Sequence, residues 1–277
     1  MQLGPGSEAD ALEFCARQPE HTLVIAGWLG EGGLRRSDKT QKAWLFAEQD
    51  EQRRVQGLVY VSDNGIVLPV LRSRSALDAL VELGARNPQV IRVVVGERST
   101  VDHLLRAWVP RGFRPRLHRD QLAYVVGEDG FSPHGNVELR PAEPEDLDAL
   151  VEASAEMARE EAGDDPQARN PGLFRSRIKK RIERGRDFVL MTSQGLSFKS
   201  NVAALSSFGG QVEGIFVPPA HRQQGLGLKG TSWVTRWILD RAPRACLLVN
   251  EDNQGAKRLY LRLGYVLSHS SRTSFFA

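Results

Sequence analysis

The sequence contains little cysteine and no long apolar segment. Only two of its 277 residues are cysteines, Cys15 and Cys246, and they lie in unrelated contexts. A disulfide framework and a cysteine-based zinc site are therefore excluded. No apolar run approaches the roughly 18–20 residues that cross a bilayer. The opening MQLGPGSEADALEF has neither a basic region nor an apolar core. We therefore expect a cytoplasmic protein with no membrane segment and no secretory signal.

Neither charge nor histidine spacing indicates nucleic-acid or metal binding. The formal net charge is only +3, which is too small to argue for a nucleic-acid surface. The basic run over residues 175–186 is typical of a solvated helix face, so a nucleic-acid partner is not expected. The six histidines have no metal-ligand spacing, and we expect no metal. The sequence does not predict an oligomeric state.

The length and the glycine pattern predict two domains. At roughly 100–200 residues per domain, 277 residues favour two. The segment GEDGFSPHGN, residues 127–136, has the composition of a linker between two apolar runs. We therefore predict one domain over 1–130 and a second over 137–277. Strand-like and helix-like segments alternate on both sides of the linker, which indicates α/β domains with mixed sheets.

The local patterns assign most of the elements. In the first half we predict helices over 9–17, 75–85 and 100–108, strands over 43–47, 90–95 and 121–126, and a hairpin of GLVYVS and IVLPVL. Asn64-Gly65 in its loop predicts a type I′ turn. In the second half we predict helices over 144–159, 174–184, 225–241 and 255–262. The predicted strands there are 137–140, 188–192, 211–217, 245–249 and 273–276, and 195–208 is predicted to form one or two strands.

The most informative segment is QVEGIFVPPAHRQQGLGLKG, residues 211–230. Pro218 and Pro219 end a strand because neither can donate to a ladder. A short turn then leads directly into a helix, and Gly225 and Gly227 keep side chains away from an approaching anion. The N-terminus of the helix adds its positive dipole end. The pattern therefore predicts a pyrophosphate cradle. The alternative is an ordinary strand–turn–helix connection.

A second motif follows about thirty residues later, in LLVNEDNQGAKRLYLRLGY, residues 247–265. Its pattern is N-x-x-A-x-x-L-Y-x-x-x-G-Y, formed by Asn253, Ala256, Leu259, Tyr260, Gly264 and Tyr265. Alone, it is equally well explained as an ordinary helix that ends at Gly264. Both motifs together, in this order and at this separation, are hard to obtain by accident.

These two motifs resemble the GNAT superfamily of acetyl-coenzyme A-dependent N-acetyltransferases. Residues 157–166, MAREEAGDDP, with Phe198-Lys199, look like a bacterial subgroup in which a divergent N-terminal domain precedes the transferase domain. The resemblance implies two tandem GNAT-like domains. Because residues 1–130 lack both motifs, the first domain is expected to be degenerate and without a coenzyme A site.

The resemblance also implies a cosubstrate, acetyl-coenzyme A, and an amine acceptor. Main-chain groups of Ile215, Phe216 and Val217 are expected to bind the pantetheine arm, and Arg222 and Lys229 to contact phosphate oxygens. The pyrophosphate is expected on Arg222, Gln223, Gln224, Gly225, Leu226 and Gly227. Asn253 and Ala256 complete the expected cosubstrate site.

Tyr260 and Glu213 are the predicted catalytic residues. The resemblance places Tyr260 near the sulfur, where its phenol is the candidate acid for the departing thiolate; the alternative is a packing tyrosine. Glu213 is the candidate base, directly or through water, and a solvated or structural role is the alternative. Period two would put Gln211, Glu213, Ile215 and Val217 on one strand face.

The acceptor itself is not predicted by the sequence. An acidic mouth is expected where GNAT proteins build the acceptor pocket, and a solvated loop is the alternative; its residues are Glu160, Glu161, Asp164 and Asp165. The amine of an amino acid, a polyamine, an antibiotic-like compound or a protein lysine all fit. Two other functions stay open: a catalytically idle acyl-coenzyme A sensor, and an aminoacyl transferase that uses aminoacyl-tRNA.

Overall fold

The computed structural model describes residues 1–35, 43–163 and 165–276. The strands are β1 Ala43–Gln49, β2 Val55–Ser62, β3 Ile66–Val70, β4 Val93–Glu97, β5 Pro115–Gly127, β6 Arg140–Pro141, β7 Asp187–Thr192, β8 Gly195–Ser206, β9 Gly209–Phe216, β10 Arg244–Asn250 and β11 Val266–Phe276. The α-helices are α1 Glu8–Arg17, α2 Pro19–Gly30, α3 Arg74–Arg86, α4 Arg98–Trp108, α5 Leu147–Ala162, α6 Pro166–Arg169, α7 Pro171–Ile182, α8 Leu226–Leu239 and α9 Gln254–Arg262. Parallel and antiparallel pairs both occur, so the predicted mixed α/β class is confirmed.

The chain forms two compact units, and each is built from separate stretches of sequence. The first unit contains Met1–Val125, Leu248–Gln254 and Leu267–Ala277, and the second contains Val126–Leu247 and Gly255–Val266. Most of β11 therefore belongs to the first unit, although it comes last in the sequence. None of the helices in the described part of the chain is both long and apolar enough to cross a membrane.

The first unit is a mixed sheet with strand order β1-β2-β3-β4-β11-β5. The last strand pairs antiparallel with β4, from Ser271 opposite Glu97 to Phe275 opposite Val93. Its core lies under α3 and α4 and centres on Trp108, which is 1% exposed. The indole of Trp108 donates to the carbonyl of Val81 over 2.9 Å, so the only polar atom of this buried ring has a partner.

One local prediction for the first unit was wrong, and one helix was missed. The β2–β3 hairpin exists, but only Gly65 has a positive φ (82°), so the turn is not type I′. A three-residue loop, 63–65, replaces it, and the Ser62 hydroxyl accepts from the Ile66 amide over 2.9 Å. The helix α2, sequence PEHTLVIAGWLG, was not predicted. It is apolar on most of its surface and lacks the one-sided periodicity that marks an amphipathic helix.

The second unit has strand order β10-β9-β8-β7-β6, with β9 and β10 parallel. One core packs α5 and α7 against β7 through Leu150, Ile178 and Val189. The helix α8 lies close to β8: a Cβ built on Gly230 would be 2.5 Å from the Phe198 ring. Glycine at 230 therefore sets how closely the helix that follows the predicted cradle approaches the sheet.

The predicted linker, residues 127–136, is part of the second unit and packs against its helix α8. His134 donates its amide to the Ser232 hydroxyl of α8 over 2.8 Å, and Arg236 of α8 pairs with Glu128 over 2.7 Å. Gly264, with φ of 87°, approaches the Gly130 carbonyl so closely that a Cβ there would lie 1.8 Å from its oxygen. The segment is therefore packed in place, and a residue with a side chain at position 264 would not allow this close approach.

Candidate functional site

The strand β9 carries a bulge next to the end of its parallel ladder with β10. The β9–β10 pairs run from Gly210 opposite Ala245 to Val212 opposite Leu247. On the other side of β9, Glu213 faces Asn201 and Phe216 faces Lys199, so three steps on β9 oppose two on β8. Gly214 lies inside this bulge with φ of +62°, a left-handed conformation that glycine adopts without strain.

The bulge corrects the predicted alternation. Directly opposed residues of an antiparallel pair share a face, so Glu213 and Phe216 lie on the face of Asn201 and Lys199. The prediction that Glu213, Ile215 and Val217 share one face was therefore wrong, because one extra residue exchanges the faces beyond it. A glycine inside a strand pattern is the sequence signal that indicates such a bulge.

Side chains of β8 satisfy two carbonyls of the bulge. The Ser200 hydroxyl donates to the Glu213 carbonyl over 3.2 Å, and Lys199 Nζ donates to the Gly214 carbonyl over 3.1 Å. A Cβ on Gly214 would lie 2.4 Å from Asn201 Oδ1, so Asn201 limits the bulge on the same side. Sequence reasoning did not assign a role to Lys199. The available signal was a lysine within an otherwise strand-like apolar and small-residue segment.

The turn between β9 and α8 has the geometry of an anion-binding loop. Gln223 has φ of 61° and Gly225 has φ of 74°, and α8 begins at Leu226. A left-handed residue followed by a right-handed one, as in Gly225 and Leu226, directs successive N–H groups into a concavity. The N-cap, Gly225, has no side-chain cap bond, so the first turn of α8 relies on other acceptors. The left-handed backbone of Gln223 is strained because this residue is not glycine. Strained backbone of this kind is common at functional sites.

Gly227 and Lys229 complete the surroundings of this turn. A Cβ on Gly227 would be 3.4 Å from Leu259 of α9, so a side chain there would press on the helix that carries Tyr260. The stem of Lys229 packs against Gly135, and its ε-carbon lies 3.8 Å from the Cβ position of Gly225. The structure thus places a lysine beside the helix N-terminus, where its charge adds to the positive dipole end.

Arg222 is exposed, and its side chain contacts other residues of the protein. Its Nε donates to the Val217 carbonyl over 3.0 Å, and its guanidinium binds both oxygens of Glu160 over 2.7 and 2.8 Å. The guanidinium also lies 5.6 Å from the centre of the Phe216 ring. The residue predicted to contact phosphate and a residue predicted for the acceptor mouth therefore form one ion pair, in which Nη2 of Arg222 contacts both carboxylate oxygens; it connects the end of α5 to the turn.

Glu213 lies on β9, directly before Gly214 of the bulge. Its side chain is exposed, and one carboxylate oxygen accepts from Gln211 Nε2 over 2.7 Å. Desolvation by the surrounding protein nonetheless raises the pKa of Glu213, against the opposing effects of Gln211 and Arg181. A raised pKa brings a carboxylate closer to the range useful for proton transfer near neutral pH.

Tyr260 is buried in α9, with 6% of its surface exposed. Burial raises the pKa of its phenol, and the negative charge of Glu161 adds to the shift, so the hydroxyl keeps its proton at neutral pH. Its ring lies 5.9 Å from that of Tyr265. The Tyr265 hydroxyl is hydrogen-bonded to Thr235 of α8 over 2.8 Å. This contact holds the segment that follows α9 against α8.

The remaining predicted residues are less closely grouped. Asp165 caps α6, accepting from the amides of Gln167 and Ala168 at 3.0 Å each, which gives it a structural role. Asp164 lies outside the described residues. Asn253 lies in the turn after β10, within the first compact unit, and its amide donates to the Asn250 carbonyl over 3.0 Å. Ala256 lies in the first turn of α9 and is partly exposed.

Comparisons with known proteins agree with this architecture. Residues 202–274 match the family model described as FR47-like protein. A crystal structure of a Drosophila protein aligns with a TM-score of 0.72 at 13% identity, over 99% of this chain and 97% of that chain. A tandem GNAT protein from the clavulanic acid biosynthesis pathway aligns with a TM-score of 0.58 at 14% identity, over 100% and 96%. A GCN5-related N-acetyltransferase from Sphaerobacter thermophilus aligns with a TM-score of 0.54 at 18% identity, over 99% and 94%.

No curated protein sequence matches the chain. Because the aligned structures share only 13–18% of their sequence with this chain, they establish its fold and nothing further. The resemblance to the GNAT superfamily is confirmed at that level, and full-length agreement with a tandem GNAT protein supports two GNAT-like domains.

Proposed function

We propose that this protein is an acetyl-coenzyme A-dependent N-acetyltransferase that acetylates a primary amine by direct attack. The observation that carries the proposal is the continuous arrangement of bulge, turn and helix from Gly214 to Leu226. It offers main-chain groups, then a nest of N–H groups, then an uncapped helix N-terminus. This order suits a ligand that has an amide-rich arm followed by a pyrophosphate.

In this proposal the cosubstrate is held mainly by the backbone. Ile215, Phe216 and Val217 bind the pantetheine arm, and the turn from Arg222 to Gly227 binds the pyrophosphate, with Lys229 beside it. Gly225 fits this role because, among the described residues, a Cβ there would meet only Lys229, at 3.8 Å, which leaves the turn open to a ligand. Asn253 and Ala256 are assigned to the same site by their motif alone.

The proposed reaction needs two proton transfers. A neutral amine attacks the thioester carbonyl carbon, which forms a C–N bond and a tetrahedral intermediate. Glu213 accepts the proton that the nitrogen loses, directly or through water. The intermediate collapses with cleavage of the C–S bond, and Tyr260 donates a proton to the departing sulfur and regains one from solvent. The products are an acetamide and free coenzyme A.

The domain assignment is part of the proposal. Residues 137–277 supply the transferase domain, and 1–130 form a degenerate GNAT-like domain without a cosubstrate site. Glu160 and Glu161 border the acceptor pocket, where negative charge favours a protonated amine. Calorimetric titration of acetyl-coenzyme A should then give one molecule per chain. Two per chain would show that residues 1–130 also bind it.

A screen of primary amines tests the enzymatic part. Candidate amines are incubated with the protein and acetyl-coenzyme A, and free thiol is followed against reactions without amine. Glu213→Gln keeps the size of the side chain and removes the base, so it should lower the rate at neutral pH while binding persists. Acetyl-coenzyme A binding without turnover of any amine would favour the idle sensor instead.

A further inference from the structure

Lys199 is a buried cation at the bulge of β9. The residue is 2% exposed. Its Nζ donates to the Gly214 carbonyl over 3.1 Å and approaches Met157 Sδ at 3.7 Å and the Phe216 ring centre at 5.9 Å. Of its three N–H groups, one meets an oxygen atom within the described part of the chain. Burying an ammonium group costs free energy unless it has hydrogen-bond partners. The Gly214 carbonyl is the oxygen that Lys199 contacts, so the bulge is where we expect Lys199 to have its effect.

Charged groups surround Lys199 on several elements. Arg181 of α7 and Asp187 of β7 form a 2.6 Å ion pair, Glu161 lies on α5, and Glu213 shares its strand face. Burial, followed by Arg181, lowers the pKa of Lys199 to about 8, although Asp187 and Glu161 act in the opposite direction. The side chain is therefore mostly protonated at neutral pH and loses its charge within the mildly alkaline range.

The Gly214 carbonyl and the Ile215 N–H belong to one peptide group. In a trans peptide these two groups point in opposite directions, so the Ile215 N–H points away from the ammonium that binds the carbonyl. A hydrogen bond from a cation to the carbonyl polarises the peptide, and polarisation of this kind strengthens the donor at its other end. Lys199 thereby acts on the Ile215 N–H without touching it.

We propose that Lys199 is a positioning residue: its ammonium fixes the Gly214 carbonyl in the bulge and strengthens the Ile215 N–H as donor to the thioester carbonyl oxygen. This rests on the proposed function, in which Ile215 binds the cosubstrate. The oxygen becomes negative when the amine attacks, so the stronger donor favours the transition state over the ground state. The turnover rate then depends on whether Lys199 is protonated, although its proton is not transferred to either substrate.

The test compares Lys199→Met with Lys180→Met, which removes an exposed lysine of α7. Infrared spectroscopy of acetyl-coenzyme A labelled with ¹³C at the carbonyl reports the hydrogen bond to that oxygen. The stretch should lie at lower frequency in the wild type and Lys180→Met, and move back toward its solution value in Lys199→Met. The same variant should lower kcat by about tenfold, a fraction of the effect of deleting an oxyanion donor. In the wild type, kcat should decline as the pH rises above the Lys199 pKa of about 8. This decline should be absent in Lys199→Met.

Methionine removes a buried charge, so the variant is expected to fold. If it does not, the wild type alone gives the answer, because its carbonyl stretch should shift as the pH is raised through a pKa of about 8. A pH-independent stretch, or Lys199→Met spectra and kcat equal to the wild type, would overturn the proposal. If acetyl-coenzyme A binds but no amine turns over, the enzymatic proposal fails, and the infrared shift still decides on Lys199. If calorimetry detects no binding of acetyl-coenzyme A, both proposals fail.

Discussion

Replacing Gly214 by alanine should distort the bulge of β9 and weaken both folding and cosubstrate binding. The residue has φ of +62°, and the new Cβ would lie 2.4 Å from Asn201 Oδ1. A left-handed conformation costs a non-glycine residue roughly 1–2 kcal/mol. The contact with Asn201 adds to this, so we expect a total loss of unfolding free energy of about 2–3 kcal/mol.

Urea unfolding of matched variants separates the two contributions. Gly172→Ala is the control, because a Cβ on Gly172 would meet no atom of the described residues within 4 Å beyond its own helix, and its φ is not positive. It should leave stability unchanged or raise it slightly. In an Asn201→Ala background the contact is absent, so Gly214→Ala should there cost only the conformational part. The affinity for acetyl-coenzyme A should fall in Gly214→Ala and not in Gly172→Ala. Equal stability and equal affinity in Gly214→Ala and wild type would refute the claim that the bulge requires glycine.

Three further predictions concern other parts of the molecule. Gly225→Asp should weaken acetyl-coenzyme A binding at least about tenfold, or 1.4 kcal/mol, in calorimetry; Gly195→Asp, at another left-handed and open glycine, should not. Tyr260→Phe should lower turnover roughly 10²-fold with little change in affinity, and wild-type turnover with rate-limiting chemistry would make Tyr260 a packing residue. Burial and His21, stacked at 4.0 Å, lower the pKa of His269 from 6.5 to about 4. As the pH falls, His269 is therefore protonated in the unfolded chain before it is protonated in the folded one, so the free energy of unfolding should fall between pH 6.5 and 4. The same dependence of unfolding free energy on pH in His269→Phe would contradict this.

The sequence predicted those features that a short segment determines by itself. The strand that ends at Pro218-Pro219, the glycine turn and the start of α8 depend on proline and glycine stereochemistry within a few residues, and each lies close to its expected position. The two motifs also led to the correct fold. The order of elements in the second half followed from periodicity for the same local reason.

Features that depend on distant residues were missed. The side chains of Lys199 and Asn201 border the bulge from a neighbouring strand, and no pattern within 211–217 contains that information. The ion pair of Arg222 with Glu160 joins residues 62 positions apart. Likewise, α2 is helical without a one-sided apolar pattern, because most of its faces are buried by tertiary packing.

Simultaneous measurement of both products tests acetyl transfer most directly. Acetyl-coenzyme A labelled with ¹³C in the acetyl group is incubated with the protein and an accepted amine. Free thiol and labelled acetamide are then quantified over time by absorbance and mass spectrometry. The account predicts that the two products form at equal rates, and that both slow together in Tyr260→Phe. Thiol release without acetamide, or acetyl-coenzyme A bound with neither product formed from any amine, would contradict it.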